Sequence, residues 1–216
     1  MTLSDAEKLA KYVQSLINFK FYETIDGNYN HIGATIADAV LQANNKYATN
    51  VKPRINRILA VYPNVRETSA TKSLLKSISV TEFLNWRGVD RALRFSQILD
   101  LFSLEGIEKE ADLSVWLSND LNLLKLRAIK GIGPKTVDYF KILVGASTCA
   151  IDRHLLNFLG LAGLESDSYS DAQEIINSAA DILSIDRAYF DHSIWQYMSN
   201  GMIIRPVTPP ICGGQA

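Results

Sequence analysis

The sequence predicts an all-α protein. Apolar residues recur at helical spacing along most of the chain. Helix-opening signals stand in front of several of those runs. The one β-leaning run, "ASTCAI" at 146–151, has no second run to pair with. Hydrophobic residues make up 47% of 216, enough to bury a substantial core in one domain or one compact two-lobed unit.

Ser4 with Glu7 is a capping box opening a helix that should run to about Lys20. "FYETIDGNYN" is a loop turned by Gly27 and Asn28. "HIGATIADAVLQANNKY" carries apolar residues at 32, 36, 40 and 41, a helical spacing. Pro53 opens "PRINRILAVY" and Pro63 follows its end. "TKSLLKSI", "VTEFLNW" and "DRALRFSQILDLF" continue the pattern, with Gly88 parting the last two. "LSVWLSNDLNLLKLRAI" leads into "KGIGPKTVDYF" at 130–140. Helices are expected from about Pro134 to Val144 and from about Asp152 to Leu159. The next is opened by Ser170 and Gln173 as a capping box, and "RAYFDHSIWQYMSNG" is the last. The Pro/Gly-rich tail "RPVTPPICGGQA" should lack regular structure.

Several function classes fall away. The chain starts with an amphipathic helix rather than a signal peptide, and no apolar run approaches the roughly 18 residues of a membrane span. Cys149 and Cys212 are too few for a disulfide framework or for an iron–sulfur cluster, and suit a reduced cytoplasmic setting. The net charge is −1, yet residues 46–94 hold ten Lys/Arg against Glu67, Glu82 and Asp90. Residues 124–154 hold six against Asp138 and Asp152. Such stretches are either solvated helix faces or one basic face for an anionic partner.

In "KGIGPKTVDYF", Gly131 and Gly133 allow positive φ and close backbone approach. Pro134 sits where a helix would begin. Free N–H groups at a helix N-terminus bind phosphate, although a tight helix–helix turn would use the same residues for shape alone. Lys135 falls in the first helical turn, where the helix dipole disfavours a cation and lowers its pKa. It either contacts phosphate or, as a neutral amine, forms a Schiff base with a sugar carbon. Asp152 follows 17 residues later, before another helical run. It serves as an N-cap, or stabilises an oxocarbenium-like transition state, or both. Trp86, Trp116, Trp195, Tyr139 and Phe140 read as core, and Asp138 as a solvated helix residue. Asp191 and His192 are further candidates for a cleft wall.

"LRAIKGIGPKTVDYFKILVG" and "AIDRHLLNF" together resemble the helix-hairpin-helix DNA glycosylases with a Gly/Pro-rich loop and Asp, the endonuclease III and 8-oxoguanine glycosylase superfamily. Weaker likeness extends over roughly residues 30–200. The resemblance implies a two-lobed fold: a six-helix barrel over 28–145, and a second lobe from 1–27 and 146–216. It implies a DNA glycosylase of base excision repair that flips a damaged, oxidised base out of the duplex. Lys135 would attack C1′ and support β-elimination at the abasic site, with Asp152 stabilising charge on the sugar. Gly131, Gly133, Thr136 and His154 would hold DNA phosphate, and Asn44 and Asn45 would fill the gap left by the extruded base. Two other readings stay open: a monofunctional glycosylase using water activated by Asp152, and a non-catalytic helix-hairpin-helix DNA-binding module. The four-cysteine cluster of endonuclease III is absent, since the tail offers one cysteine. "IDRH" is nearer to archaeal 8-oxoguanine glycosylases. No cofactor is expected beyond a monovalent cation at the hairpin carbonyls. The partner would be double-stranded DNA carrying a damaged base or abasic site, with no membrane involved. The protein would act as a monomer in the cytoplasm, at the nucleoid in a prokaryote.

Overall fold

The structure is a computed structural model and describes residues 3–199. The Pro/Gly-rich tail, Cys212 included, lies outside the described residues. Among those described, the chain forms twelve α-helices and no strand. The run 146–151 is extended but unpaired.

Helix α1, Asp5–Ser15, opens on the expected capping box: Glu7 N–H donates to Ser4 Oγ at 3.2 Å and Ser4 N–H to Glu7 Oε2 at 2.7 Å. It stops short of Lys20 because Leu16 turns extended, with φ −82° and ψ 110°. Helix α2, Ile32–Leu41, is buried along its whole length. Its N-cap is the buried His31, whose Nδ1 accepts from the Ala34 N–H. A single π-helical turn, Tyr47–Val51, leads into α3, Lys52–Val61, which Pro53 opens. The short helices α4, Thr68–Leu74, and α5, Val80–Phe83, precede the long α6, Val89–Leu104.

The run "LSVWLSNDLNLLKLRAI" splits into α7, Glu110–Trp116, and α8, Asp120–Arg127. Asn119 caps α8 by accepting from the Leu121 N–H. Then come α9, Pro134–Leu143, α10, Arg153–Leu161, α11, Tyr169–Ile182, and α12, Arg187–Ser199. The α11 start differs from expectation. Ser168 is the cap, accepting from Asp171 N–H at 3.1 Å, while Asp171 accepts from the Asp167 N–H. Ser170 is not the cap, although its hydroxyl meets that of Ser168 at 3.0 Å, and Gln173 turns elsewhere.

Two separate cores result. The first surrounds α2 and takes Phe83, Phe95, Phe102, Trp116 and Phe140. The second joins α1 to the C-terminal helices through Leu9, Val13, Leu155, Phe158, Ile176 and Phe190. Each fully buried phenylalanine ring contributes about 1.5–3 kcal/mol relative to exposure. Ile142, Ala150 and Ala188 form a third, small cluster with Ile25 and Tyr139.

A polar seam ties the cores together. Asp138 on α9 is buried, not solvated as the sequence suggested. Its carboxylate accepts from Tyr169 Oη at 2.8 Å, Gln173 Nε2 at 2.9 Å and Lys141 Nζ at 3.0 Å. Asn28 N–H also donates to the Leu143 carbonyl at 2.7 Å. No helix among the described residues is long and apolar enough to cross a membrane.

Candidate active site

A cleft of about 1010 Å³ opens where the two cores meet. Gln42, Asn44, Lys135, Asp152, Asp191 and Trp195 are among the side chains lining it. The segment after α2 forms one wall, and the start of α10 with α12 forms the other.

The hairpin supplies Lys135. Gly131 has φ +87°, a left-handed conformation that favours glycine. A Cβ there would collide with the Arg94 guanidinium, so the close approach at Gly131 is made by this chain's own side chain. Gly133, extended at φ −103° and ψ −179°, faces open space. It caps α9 without a side-chain bond, and the Gly131, Gly133 and Lys135 amides have no partner among the described residues. Free N–H groups at a helix N-terminus are the kind of donors that can receive an anion. Thr136 is buried and its N–H donates to the Gly133 carbonyl at 3.1 Å. Gly131, Gly133 and Thr136 do not line the cleft; they sit on the hairpin outside it.

Lys135 is the second residue of α9 and points into the cleft. Its Nζ donates to Gln42 Oε1 at 2.5 Å and lies 5.4 Å from the Tyr139 ring centroid. Burial lowers its pKa; Asp152, Asp191 and Asp38 oppose that shift without cancelling it.

Asp152 is the α10 N-cap. Its Oδ1 accepts from the His154 N–H at 2.7 Å and the Leu155 N–H at 3.1 Å. The other oxygen has no hydrogen-bond partner among the described residues. The capping and catalytic roles are therefore compatible in one side chain. Asp191 accepts from the Ala150 N–H at 2.6 Å. Burial pushes its pKa up to about 7 against that hydrogen bond, and the Asp152 charge adds to the rise.

His154, Asn44 and Asn45 also line the cleft. Asn44 is left-handed, with φ +56°, and exposed at the rim. Asn45 turns its Nδ2 back onto the Leu41 carbonyl at 2.5 Å. Trp195 lines the cleft instead of filling a core, stacked on His192 at 6.2 Å with His154 edge-on at 6.1 Å. Tyr139 lines it as well, while Phe140 is core. Trp86 is half-buried between two guanidinium groups, those of Arg54 at 5.0 Å and Arg91 at 4.6 Å.

Sequence reasoning missed the cleft floor. The buried carboxylate of Asp38 accepts from the hydroxyls of Tyr29 at 2.5 Å, Tyr47 at 3.0 Å and Tyr139 at 3.1 Å. Burial raises its pKa to about 6, although the three hydroxyls favour the charge. Gln42 stands one turn further along, and its buried Nε2 has no partner. The available signal was a lone carboxylate inside the apolar run "IGATIADAVL".

No group of three or more His, Cys, Asp or Glu side chains able to hold a metal ion occurs among the described residues. At the hairpin, the Lys130 carbonyl accepts from Arg94 Nε at 3.0 Å and the Gly133 carbonyl from two amides. A cation bound through the Lys130 carbonyl would sit beside that guanidinium charge, which disfavours it. No family model, curated protein or solved structure matches the chain.

Proposed function

We propose that this chain is a DNA glycosylase of base excision repair with abasic-site lyase activity, removing an oxidised base from double-stranded DNA. Its architecture is read as a two-lobed helix-hairpin-helix glycosylase fold, with residues 28–145 as the six-helix barrel and the rest as the second lobe. The observation that carries the reading is the amine of Lys135. It is withdrawn from water, bonded to a neutral acceptor, lowered in pKa, and shares one cleft with Asp152 and Asp191.

The chemistry follows from those groups. A duplex hides the base and the C1′ carbon, so the nucleotide must flip into the cleft. The neutral Nζ of Lys135 attacks C1′. The glycosidic bond breaks with its electron pair on the departing base, which takes up a proton. The Lys135 nitrogen loses a proton, and the C1′–O4′ bond opens with its electron pair on O4′, which takes up a proton, to leave a protonated Schiff base. Loss of a C2′ proton then expels the 3′ phosphate by β-elimination. The unpartnered oxygen of Asp152 stabilises positive charge on the sugar. Asp191, with a pKa of about 7, is matched to taking up and returning a proton at neutral pH.

Borohydride trapping tests the reading. A duplex with an abasic site should give a covalent adduct with the protein, lost in Lys135→Ala. Base release without any trapped adduct would leave hydrolysis through Asp152 as the mechanism, with Lys135 holding phosphate. Base release unchanged in Asp152→Asn would remove the role given to that carboxylate.

A further inference from the structure

Four of the six arginines of residues 46–94 donate to main-chain carbonyls reached across the fold. Arg54 donates to the Asn85 and Asn50 carbonyls, Arg57 to that of Phe83, Arg91 to that of Ala43 and Arg94 to that of Lys130. None of the four forms an ion pair with a carboxylate among the described residues, where six of the seven ion pairs use lysine. Neutral carbonyls fix these guanidinium groups in place without cancelling their charge.

Two of them stand together. Arg91 and Arg94 lie one turn apart on α6, each half-buried. Arg91 holds the Ala43 carbonyl at 2.6 Å, and the next residue is the left-handed Asn44 of the cleft rim. Arg94 holds the Lys130 carbonyl at 3.0 Å, and the next residue is the left-handed Gly131 of the hairpin. One helical turn thus pins both segments assigned above to DNA. Holding two like charges this close is unfavourable without an anion; burial lowers the Arg91 pKa, and the Arg94 charge lowers it further. The Arg91 guanidinium also lies over the Trp86 ring, with that of Arg54 over the same ring. Each guanidinium has five N–H donors and spends few of them on carbonyls. The rest suit the paired non-bridging oxygens of a phosphate.

We propose that Arg91 and Arg94 together hold a backbone phosphate of the bound DNA, between the Asn44–Asn45 rim and the hairpin. These side-chain donors adjoin the free amides at the start of α9, since the Arg94 guanidinium lies against Gly131. The inference rests on the DNA-binding reading above, but not on Lys135 chemistry.

The test measures binding of a duplex carrying a tetrahydrofuran abasic analogue, by fluorescence anisotropy, across a salt series. Arg91→Gln/Arg94→Gln keeps a donor near each carbonyl and removes both charges. It should weaken binding by about tenfold or more and lower the slope of log affinity against log salt by about one. Arg91→Lys/Arg94→Lys should keep most of that slope. Affinity and slope unchanged in the glutamine pair would overturn the proposal. So would a lysine pair that behaves like the glutamine pair, because loop geometry rather than charge would then control binding. Wild-type protein that does not bind the duplex overturns this proposal together with the reading it rests on. Wild-type protein that binds it, yet never traps on an abasic duplex, loses only the lyase assignment.

Discussion

Lys135 Nζ and Gln42 Oε1 meet at 2.5 Å across 93 residues of sequence, so the nearest partner of this buried lysine is a neutral amide. A carboxylate at that distance would hold the ammonium form. A neutral amide favours the charge less than a carboxylate would, and burial lowers the lysine pKa.

The pH dependence of trapping should follow from this bond. The trapping rate on an abasic duplex should rise with pH and reach half its maximum below the ordinary lysine pKa of about 10.4. Gln42→Glu places a negative charge beside Nζ, so the midpoint should move to higher pH and trapping at pH 7 should fall several-fold. Equal profiles for the two proteins would show that Gln42 does not set the charge state of Lys135.

Gly131 and Gly133 should separate into two kinds of glycine. Gly131→Ala meets both a positive φ and the Arg94 guanidinium, and should cost about 1–3 kcal/mol in denaturant unfolding. Gly133→Ala faces open space at negative φ and should change stability by less than about 0.5 kcal/mol. Under the proposed reading its added methyl stands where phosphate approaches, so DNA affinity should drop while the unfolding midpoint holds. Unchanged affinity in Gly133→Ala would place the anion elsewhere.

Asp138 should be the costliest carboxylate to remove. Asp138→Ala leaves Tyr169, Gln173 and Lys141 without their shared acceptor in a buried seam. The expected loss is about 3–5 kcal/mol, read from urea unfolding, with Asp138→Asn losing less. A loss under about 1 kcal/mol would show that the two cores do not depend on this seam.

Asp38 and Asp191 make stability fall as pH rises. Their folded pKa values, about 6 and about 7, lie above the unfolded value of 3.8, so the native state binds more protons between those limits. Their contribution is present below about pH 4 and is lost as pH climbs through 6 to 7. His31 and His192, lowered by burial, act in the opposite direction as pH falls. The useful measurement is therefore the melting-temperature difference between wild type and Asp191→Asn from pH 4.5 to 8. The wild type should lose ground to the variant as pH rises, and a difference that is flat with pH would remove Asp191 from this balance.

Local signals in the sequence were read well where one element contains the whole interaction. The Ser4–Glu7 box, Pro53 at the start of α3 and the break at Pro134 each involve residues within one turn. Where a side chain had two possible partners, local reading failed. Gln173 fits a capping pattern with Ser170, but its amide crosses to Asp138 and the Cys149 carbonyl. Asp138 looked like a surface residue because its partners lie 31 and 35 residues away. Lys135 and Asp152 were legible as a pair and do line one cleft. The floor beneath them was not, since Asp38 and Tyr139 meet across 101 residues. Trp195 looked like core because its neighbours along α12 are apolar; the cleft wall is a tertiary feature that helical spacing does not encode.

The seam through Asp138 has a mechanical consequence. One carboxylate on α9 grips two side chains of α11, and the Leu143 carbonyl at the end of the same helix takes the Asn28 amide. The jaws of the cleft are bolted at their hinge. Opening them would break the Asp138 hydrogen bonds to Tyr169 and Gln173 together, which resists a change in the opening. Under the proposed reading, DNA entering it would have to bring its own bend, so a duplex that kinks easily at a weakened position should bind before a stiff, intact one.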